Sequence, residues 1–474
     1  MKRTYGDTCP IAAQAAGLGA LALIRTSGAG SLELLAKVFS RPQKLLEVPG
    51  NTVVHGWICK PGDTSLRIDE VLVSVYRSPR SYTGEDGADI SCHGGSAAVT
   101  GILETLRQLG FQDALPGEFT FRSFMNGKMD LTRCESVMEL VSAKTGRGLE
   151  YAVKRLSGAL EKDIRAIRDT LLEAVSAAEL YLDYPEDETG ETDDQGILGY
   201  HEAAEEAAAR LRKLAAGFRR QRLYQEGALA VIAGRPNAGK SSLFNALLNE
   251  DRSIVTEIPG TTRDWIEGSF ALEGIPLRLA DTAGLRDQDE ASLVEAQGIS
   301  WSKTLIDEAD IVIYMVDGGE GLHNDDETFL QNHDGPLVLV WNKNDLQRAP
   351  AELKNRFCFQ QNRRFAELSA INGNGLEALC LSITSLLLPQ GAETPVFTGE
   401  GNFDAGLGTK RQNDLVQKAL LLLEEALSMA NREETLDLIA PFLREALDVL
   451  GEITGEVSSA DILETMFSRF CLGK

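Results

Sequence analysis

Apolar and polar positions follow three different rhythms along the chain. From Ala20 to about residue 120, short apolar runs such as ALALIR (20–25), VVHGWIC (53–59) and VLVSVY (71–76) are separated by Gly, Pro and Ser. That texture predicts a strand-rich α+β domain. From about 130 to 225 the period becomes helical, with Leu160, Ile164, Ile167, Leu171, Val175 and Ala178 spaced three and four residues apart on one stripe. Residues 227–387 then alternate β-rich runs, LAVIAG (229–234), LRLADTAG (277–284), IVIYMVD (311–317) and LVLVWNK (337–343), with amphipathic stretches. A mostly parallel sheet with crossover helices requires that alternation. After a Pro- and Gly-containing linker, LPQGAETPVFTGEGNFDAG (388–406), helical spacing returns in Leu415, Ala419, Leu422, Ala426 and Met429.

The simplest organisation is one helical domain interrupted by an α/β domain. Its segments are an N-terminal α+β domain over 1–125, a first helical part over 126–226, the α/β domain over 227–387 and a second helical part over 388–474. A length of 474 residues agrees with several cores. No internal repeat is visible.

Charge changes the picture more than composition does. The formal net charge is −24, from 47 basic and 71 acidic residues, so the surface as a whole repels a phosphate backbone and any RNA contact must be local or shared with a partner. Seven carboxylates without a base lie between Asp183 and Asp194, which reads as a solvated loop between helices. No apolar run approaches the roughly 20 residues of a membrane-spanning helix. The N-terminus lacks a signal-peptide core with a cleavage site, and a cytoplasmic protein without membrane insertion is expected. Seven cysteines, scattered and never in a C-x-x-C pair, point to free thiols rather than a disulfide framework or zinc site.

Candidate chemistry concentrates in the α/β domain. GRPNAGKS (234–241) fits G-x-x-x-x-G-K-[ST] and sits between an apolar strand and a helix-like run, the context a phosphate loop needs. In such a loop the N–H groups around Asn237, Ala238, Gly239, Lys240, Ser241 and Ser242 close on phosphate oxygens. Lys240 bridges the β- and γ-phosphates, and the Ser241 hydroxyl ligates Mg²⁺. Asp281-Thr282-Ala283-Gly284 ends the next strong strand, where Asp281 can hold Mg²⁺ through water and the Gly284 N–H can meet the γ-phosphate. Asn342-Lys343-Asn344-Asp345 ends a later strand; the Asp345 carboxylate can accept from guanine N1–H and N2–H₂, donors that adenine lacks, so the site selects GTP. Ser369 and Ala370 back the base. Between these elements runs Thr256-Glu257-Ile258-Pro259-Gly260-Thr261-Thr262, with Thr262 placed to give Mg²⁺ a hydroxyl while the γ-phosphate is present. Where Ras-like enzymes carry a catalytic glutamine, this chain has Leu285, so hydrolysis is arranged differently.

GRPNAGKSS, PGTTRD and the leucine after DTAG resemble the translation-associated GTPases that include MnmE, Era and EngA. Outside 227–387 the resemblance is to the MnmE family alone. It is carried by Arg25–Gly28 (I-R-x-S-G), Thr83–Asp86 with His93-Gly94-Gly95, Pro116–Lys128 (PGEFT-x-R-x-F-x-N-x-K) and the terminal Phe470-Cys471-Leu472-Gly473-Lys474. The resemblance implies a K⁺-stimulated GTPase with a folate-binding, homodimerising N-terminal domain, a helical domain and an inserted Ras-like P-loop domain. It further implies a heterotetramer with the FAD-dependent partner MnmG, and installation of an aminomethyl-type group on C5 of the wobble uridine of certain tRNAs. By position, Arg25, Asp89, Lys128 and Lys474 would contact 5-formyl-tetrahydrofolate. Asn237, Thr256, Ile258 and Thr261 would hold K⁺ beside the phosphates, Glu295 would orient the hydrolytic water through a second water, and Cys471 would lie near the modification chemistry. The competing reading is an Era-like GTP switch in ribosome assembly, which should not bind the folate; a weaker third is a one-carbon transferase regulated by GTP. The acidic charge and the lack of a basic RNA-binding tail favour the first reading.

Overall fold

The computed structural model describes residues 4–17, 19–183, 194–249, 268–281, 304–358, 361–388 and 405–473. The chain divides into two compact units, one made of 1–138, 156–211 and 414–474, the other of 139–155 and 212–413. Both are mixed: the first combines an α+β sheet domain with long helices, and the second is built on an α/β sheet.

The first unit holds a six-stranded sheet of β1 (Ile11–Gln14), β2 (Leu21–Ser27), β3 (Thr52–Lys60), β4 (Asp63–Tyr76), β5 (Gly87–His93) and β6 (Gln112–Asp113), in the order β3-β4-β5-β2-β1-β6. Only the β1–β6 pair is parallel. The two-residue period sends Ala22, Ile24, Val71, Val73, Ala88 and Ile90 to one face, where they pack with Val99, Ile102 and Leu106 of the helix Ser96–Gln108. The opposite face carries Arg25 and Asp89 directly across from each other. Gly87 makes this register possible, because a Cβ there would lie 2.4 Å from the Thr26 carbonyl oxygen.

Long helices complete this unit. The stripe Leu160, Ile164, Ile167, Leu171, Val175 and Ala178 is buried throughout, along the helix Ala159–Asp183. The phase expected for the helix Lys410–Asn431 is corrected: the buried positions are Val416, Ala419, Leu420, Leu423 and Ala426, while Leu415, Leu422 and Met429 are only half-buried. Leu420 to Leu423 are four successive leucines, so hydrophobicity alone does not set the rotation; Gln412, fully buried about two turns earlier, shows which face turns inward.

The second unit carries β7 (Ala228–Gly234), β8 (Gly268–Leu272), β9 (Ile275–Asp281), β10 (Ile311–Asp317), β11 (Leu337–Asn342) and β12 (Arg363–Glu367), in the order β12-β11-β10-β7-β9-β8. All pairs are parallel except the edge hairpin β8–β9. The near-continuous Val, Ile, Leu and Ala runs of β7, β10 and β11 are those of strands covered on both faces.

A buried polar knot lies where the chain enters and leaves this sheet. Arg155, fully buried, donates from Nε to Glu139 Oε2 at 2.7 Å and from Nη1 to the Ala405 carbonyl at 2.9 Å. Gln225 Nε2 donates to the Glu139 carbonyl at 2.7 Å, and Gln412 Oε1 accepts from the Gly408 N–H at 2.8 Å. Gly408 has no room for a side chain, since a Cβ would stand 1.9 Å from Glu139 Oε1. Gly408→Ala should therefore push the buried pair apart. We expect a loss of about 3–5 kcal/mol, the cost of breaking such a pair, seen as a clear fall in the melting midpoint; an unchanged midpoint would show that the pair shifts without cost.

Candidate functional site

The nucleotide loop is built at the carboxyl end of β7. Gly234, Asn237 and Gly239 all have positive φ (139°, 65° and 94°), which turns the backbone tightly before the helix Lys240–Asn249 begins. Lys240 is buried, and its Nζ donates to the carbonyls of Gly234 at 3.0 Å and Arg235 at 2.9 Å. The ammonium is thus folded back over its own loop, at the place where phosphate oxygens are cradled.

The base-side loop is tied to the phosphate loop by one side chain. Asn342, ending β11 and 2% exposed, donates from Nδ2 to the Ala238 carbonyl at 2.8 Å and accepts at Oδ1 from the Ala370 N–H at 3.0 Å. Gly239 leaves it room, because a Cβ there would lie 2.2 Å from Asn342 Nδ2. Ser369 closes its own turn, with its N–H on the Asn374 carbonyl and its carbonyl accepting from Gly373, each at 2.9 Å. Lys343 takes a positive φ of 60° and pairs with Asp317 Oδ2 at 2.6 Å. Burial alone would raise the Asp317 carboxyl, but the Lys343 ammonium and the Gly319 N–H hold it below the usual carboxylate range. Asp345 and Asn237 are exposed, open to a ligand.

Thr256–Thr262, Thr282–Gly284, Leu285, Glu295 and Lys474 lie outside the described residues, as does the Asp281 side chain. The Asp281 backbone ends β9 opposite Ile232, on the strand next to the phosphate loop.

A second site lies on the open face of the first unit's sheet, a cavity of about 200 Å³ lined by Arg25, Tyr76, Tyr82, Glu85, Asp89 and Phe119, among others. Arg25 donates to Asp89 through Nε at 2.9 Å and Nη2 at 3.1 Å, a two-pronged pair between adjacent strands. Its Nη1 reaches the Gly473 carbonyl at 3.3 Å, so the C-terminal tail touches a residue of the cavity wall. Burial works to lower the Arg25 pKa, yet the Asp89 carboxylate raises it above its ordinary value. Tyr82 and Phe119 stand with their ring centres 5.8 and 5.9 Å from the guanidinium. Lys128 is placed differently: it is exposed, donates to the Pro79 carbonyl at 2.9 Å and is not among the lining residues. Cys471 is exposed, and its carbonyl accepts from the Gly117 N–H at 3.3 Å.

The sequence reading missed Tyr76, Tyr82, Glu85 and Phe119. Only Glu85 and Phe119 fell inside quoted motifs, and neither was given a role. Behind the wall, Arg122 donates to Glu85 Oε2 and Glu118 Oε1, both at 3.0 Å, and Ser27 Oγ donates to Glu85 Oε2 at 2.7 Å. Glu118 Oε2 also accepts from the Leu115 N–H at 2.7 Å. The two charged residues of PGEFT-x-R thus hold the wall rather than face the cavity.

The comparisons with known proteins agree along the whole chain. A family model described as the GTP-binding protein TrmE N-terminus matches residues 10–128, and one described as the MnmE helical domain matches 131–471. The chain is 42% identical to the tRNA modification GTPase MnmE of Treponema denticola over 100% of its own length and 99% of that protein's. It is 39% identical to the MnmE of Carboxydothermus hydrogenoformans over 99% of each chain.

Asn342→Ala would leave the buried Ala238 carbonyl and Ala370 N–H unpaired, at about 1–3 kcal/mol each. GTP affinity should fall at least about tenfold in a fluorescent-nucleotide titration. An unchanged dissociation constant would show that the two loops hold their places without the clamp.

Proposed function

The chain belongs to the MnmE family, and from that membership we propose that it is a GTP hydrolase acting in tRNA modification, its nucleotide cycle serving chemistry at C5 of the wobble uridine. The observation that carries the GTP half is the Asn342 clamp, which joins a guanine-selecting loop to a phosphate loop. The full-length likeness to proteins named tRNA modification GTPases supports the tRNA half and removes the reason to prefer an Era-like switch.

In this reading the loop N–H groups from Asn237 to Ser242 and the Lys240 ammonium take up the charge of the β- and γ-phosphates. Ser241, Thr262 and Asp281 would hold Mg²⁺. Asn237, with oxygens of Thr256, Ile258 and Thr261, would hold K⁺, which would supply positive charge where an arginine finger does in other GTPases. Glu295 steers the attacking water through a second water, taking the role of the glutamine whose position Leu285 occupies. Asp345, Ser369 and Ala370 select guanine.

The cavity beside Arg25 is the proposed folate site, and its donor set fits a flat heteroaromatic ligand: aromatic walls from Tyr76, Tyr82 and Phe119, and acceptors from Asp89. A bound 5-formyl-tetrahydrofolate would supply the one-carbon unit. Because Asp89 already neutralises Arg25, the pair presents its acceptor edge and polarised N–H groups together instead of one bare charge. Lys474 and Lys128 are assigned to the ligand's carboxylates, and Cys471 to the chemistry at the tail. The domains 1–125, 126–226, 227–387 and 388–474 are kept as the working division, with the first forming the homodimer and the FAD-dependent MnmG completing a heterotetramer. A cytoplasmic setting follows from the tRNA substrate, and among the described residues no helix is long and apolar enough to cross a membrane.

Turnover of GTP should be faster in KCl than in NaCl at equal ionic strength by at least about tenfold, since an arginine finger is worth roughly 10³–10⁵ in other GTPases. Asn237→Ala should erase most of that difference while leaving nucleotide binding nearly intact. Equal rates in the two salts would remove the cation from the mechanism.

A further inference from the structure

In a chain with 24 more acidic than basic residues, a group of cations without carboxylate partners needs an explanation. Six basic residues of the second unit are paired: Arg155 with Glu139, Arg222 with Glu226, Arg235 with Glu320, Lys343 with Asp317, Lys354 with Glu367 and Arg356 with Glu327. Lys144, Arg147, Arg220 and Arg278 have no ion pair among the described residues, and they lie together.

Their closeness is fixed by packing on three elements. Arg147, in the first turn of the helix Gly146–Leu156, donates from Nη1 to the Tyr224 hydroxyl at 2.8 Å, with its guanidinium 5.3 Å from the Tyr224 ring centre. Tyr224 stacks on Tyr151, ring centres 5.9 Å apart. The stem of Arg147 runs along the β8–β9 turn, where a Cβ on Gly274 would meet its Cδ at 2.8 Å. Arg278, on β9 opposite Ser269 of the edge strand, and Arg220, on the helix Asp194–Glu226, each keep a buried Nε with no hydrogen-bond partner. Lys144 is half-buried, and its pKa is lowered first by that burial and then by the neighbouring Arg278 charge. Arg220 and Arg147 both act on the Tyr151 hydroxyl.

Four cations that repel one another and have no ion pair among the described residues stay folded at a cost that an anion relieves. Three are arginines, whose planar fork suits phosphate, held by helices and a strand. The cluster also lies towards the amino end of β7, where Leu229 pairs in register with Arg278 in the middle of β9, whereas the nucleotide loop follows the carboxyl end of β7. It is therefore separate from the GTP phosphates. We propose that Lys144, Arg147, Arg220 and Arg278 form a binding surface for the phosphate backbone of tRNA. This rests on the reading of tRNA as the substrate, and supplies the local basic contact that the overall charge otherwise denies.

The test uses the full chain, a fluorescently labelled bulk tRNA and anisotropy titrations over a range of KCl concentrations. The variant Lys144→Ala/Arg220→Gln/Arg278→Gln leaves Arg147 on its tyrosine, and GTP hydrolysis without tRNA checks that the unit is folded. Wild-type affinity should fall steeply with salt. The triple variant should bind on the order of tenfold or more weakly, with a log–log salt slope shallower by about 2–3. Arg220→Lys/Arg278→Lys should retain most of the binding. A triple variant with wild-type affinity and slope would overturn the surface while leaving tRNA as substrate. Wild-type protein with no salt-dependent tRNA binding would also overturn the surface, whereas tRNA as substrate would fall only if wobble uridines are unchanged in a strain lacking this chain. Intact tRNA binding with lost binding to polyglutamate would assign the cluster to an acidic protein and likewise overturn the proposal.

Discussion

The dominant constraint on this molecule is electrostatic: a chain of formal charge −24 has to hold the phosphates of GTP. Long-range repulsion works against it, so the phosphate site must be made from local devices that net charge does not touch. The loop from Gly234 to Ser241 offers backbone N–H groups, a helix N-terminus and one buried ammonium, all from one short stretch of chain. The same constraint shapes the proposed sites. At the sheet cavity the cation is neutralised by Asp89, leaving hydrogen-bonding and aromatic surface as the means of recognition. Beside the amino end of β7, four cations have no ion pair among the described residues.

The phosphate loop would be of little use without base recognition in fixed relation to it, and Asn342 supplies that relation. Its position follows from the parallel sheet: β10 and β11 end level and β7 ends two residues short of them, so the loops after β7 and β11 emerge at the same edge. One buried amide then meets both, because Gly239 has no side chain in the way. Asn342 belongs to the guanine-recognition motif, yet its own hydrogen bonds are to protein. Asp345 is the member left facing outward.

How much of this could be read beforehand depended on how local the chemistry is in the chain. The phosphate loop, the guanine motif and the strands they end are contiguous stretches, and their order along the α/β unit was legible, as was the buried stripe from Leu160 to Ala178. The cavity was not legible from pattern: Tyr76, Tyr82, Glu85 and Phe119 come from a strand end, a loop and a helix, and only the register that sets Arg25 against Asp89 brings them to one face. The charged residues of PGEFT-x-R, Glu118 and Arg122, carried no assigned role in the sequence and serve as the brace behind the wall. The phase of the helix Lys410–Asn431 went astray for a simpler reason, since a run of four leucines fits more than one rotation.

The central claim is that GTP hydrolysis here serves the chemistry of the wobble uridine. It is tested most directly by mass spectrometry of tRNA nucleosides from a strain lacking this chain, complemented with the wild type or with Lys240→Ala. The account predicts that aminomethyl-type modification at C5 of the wobble uridine is lost on deletion, returns with the wild type and stays absent with the variant. Unchanged wobble uridines in the deletion strain would contradict it.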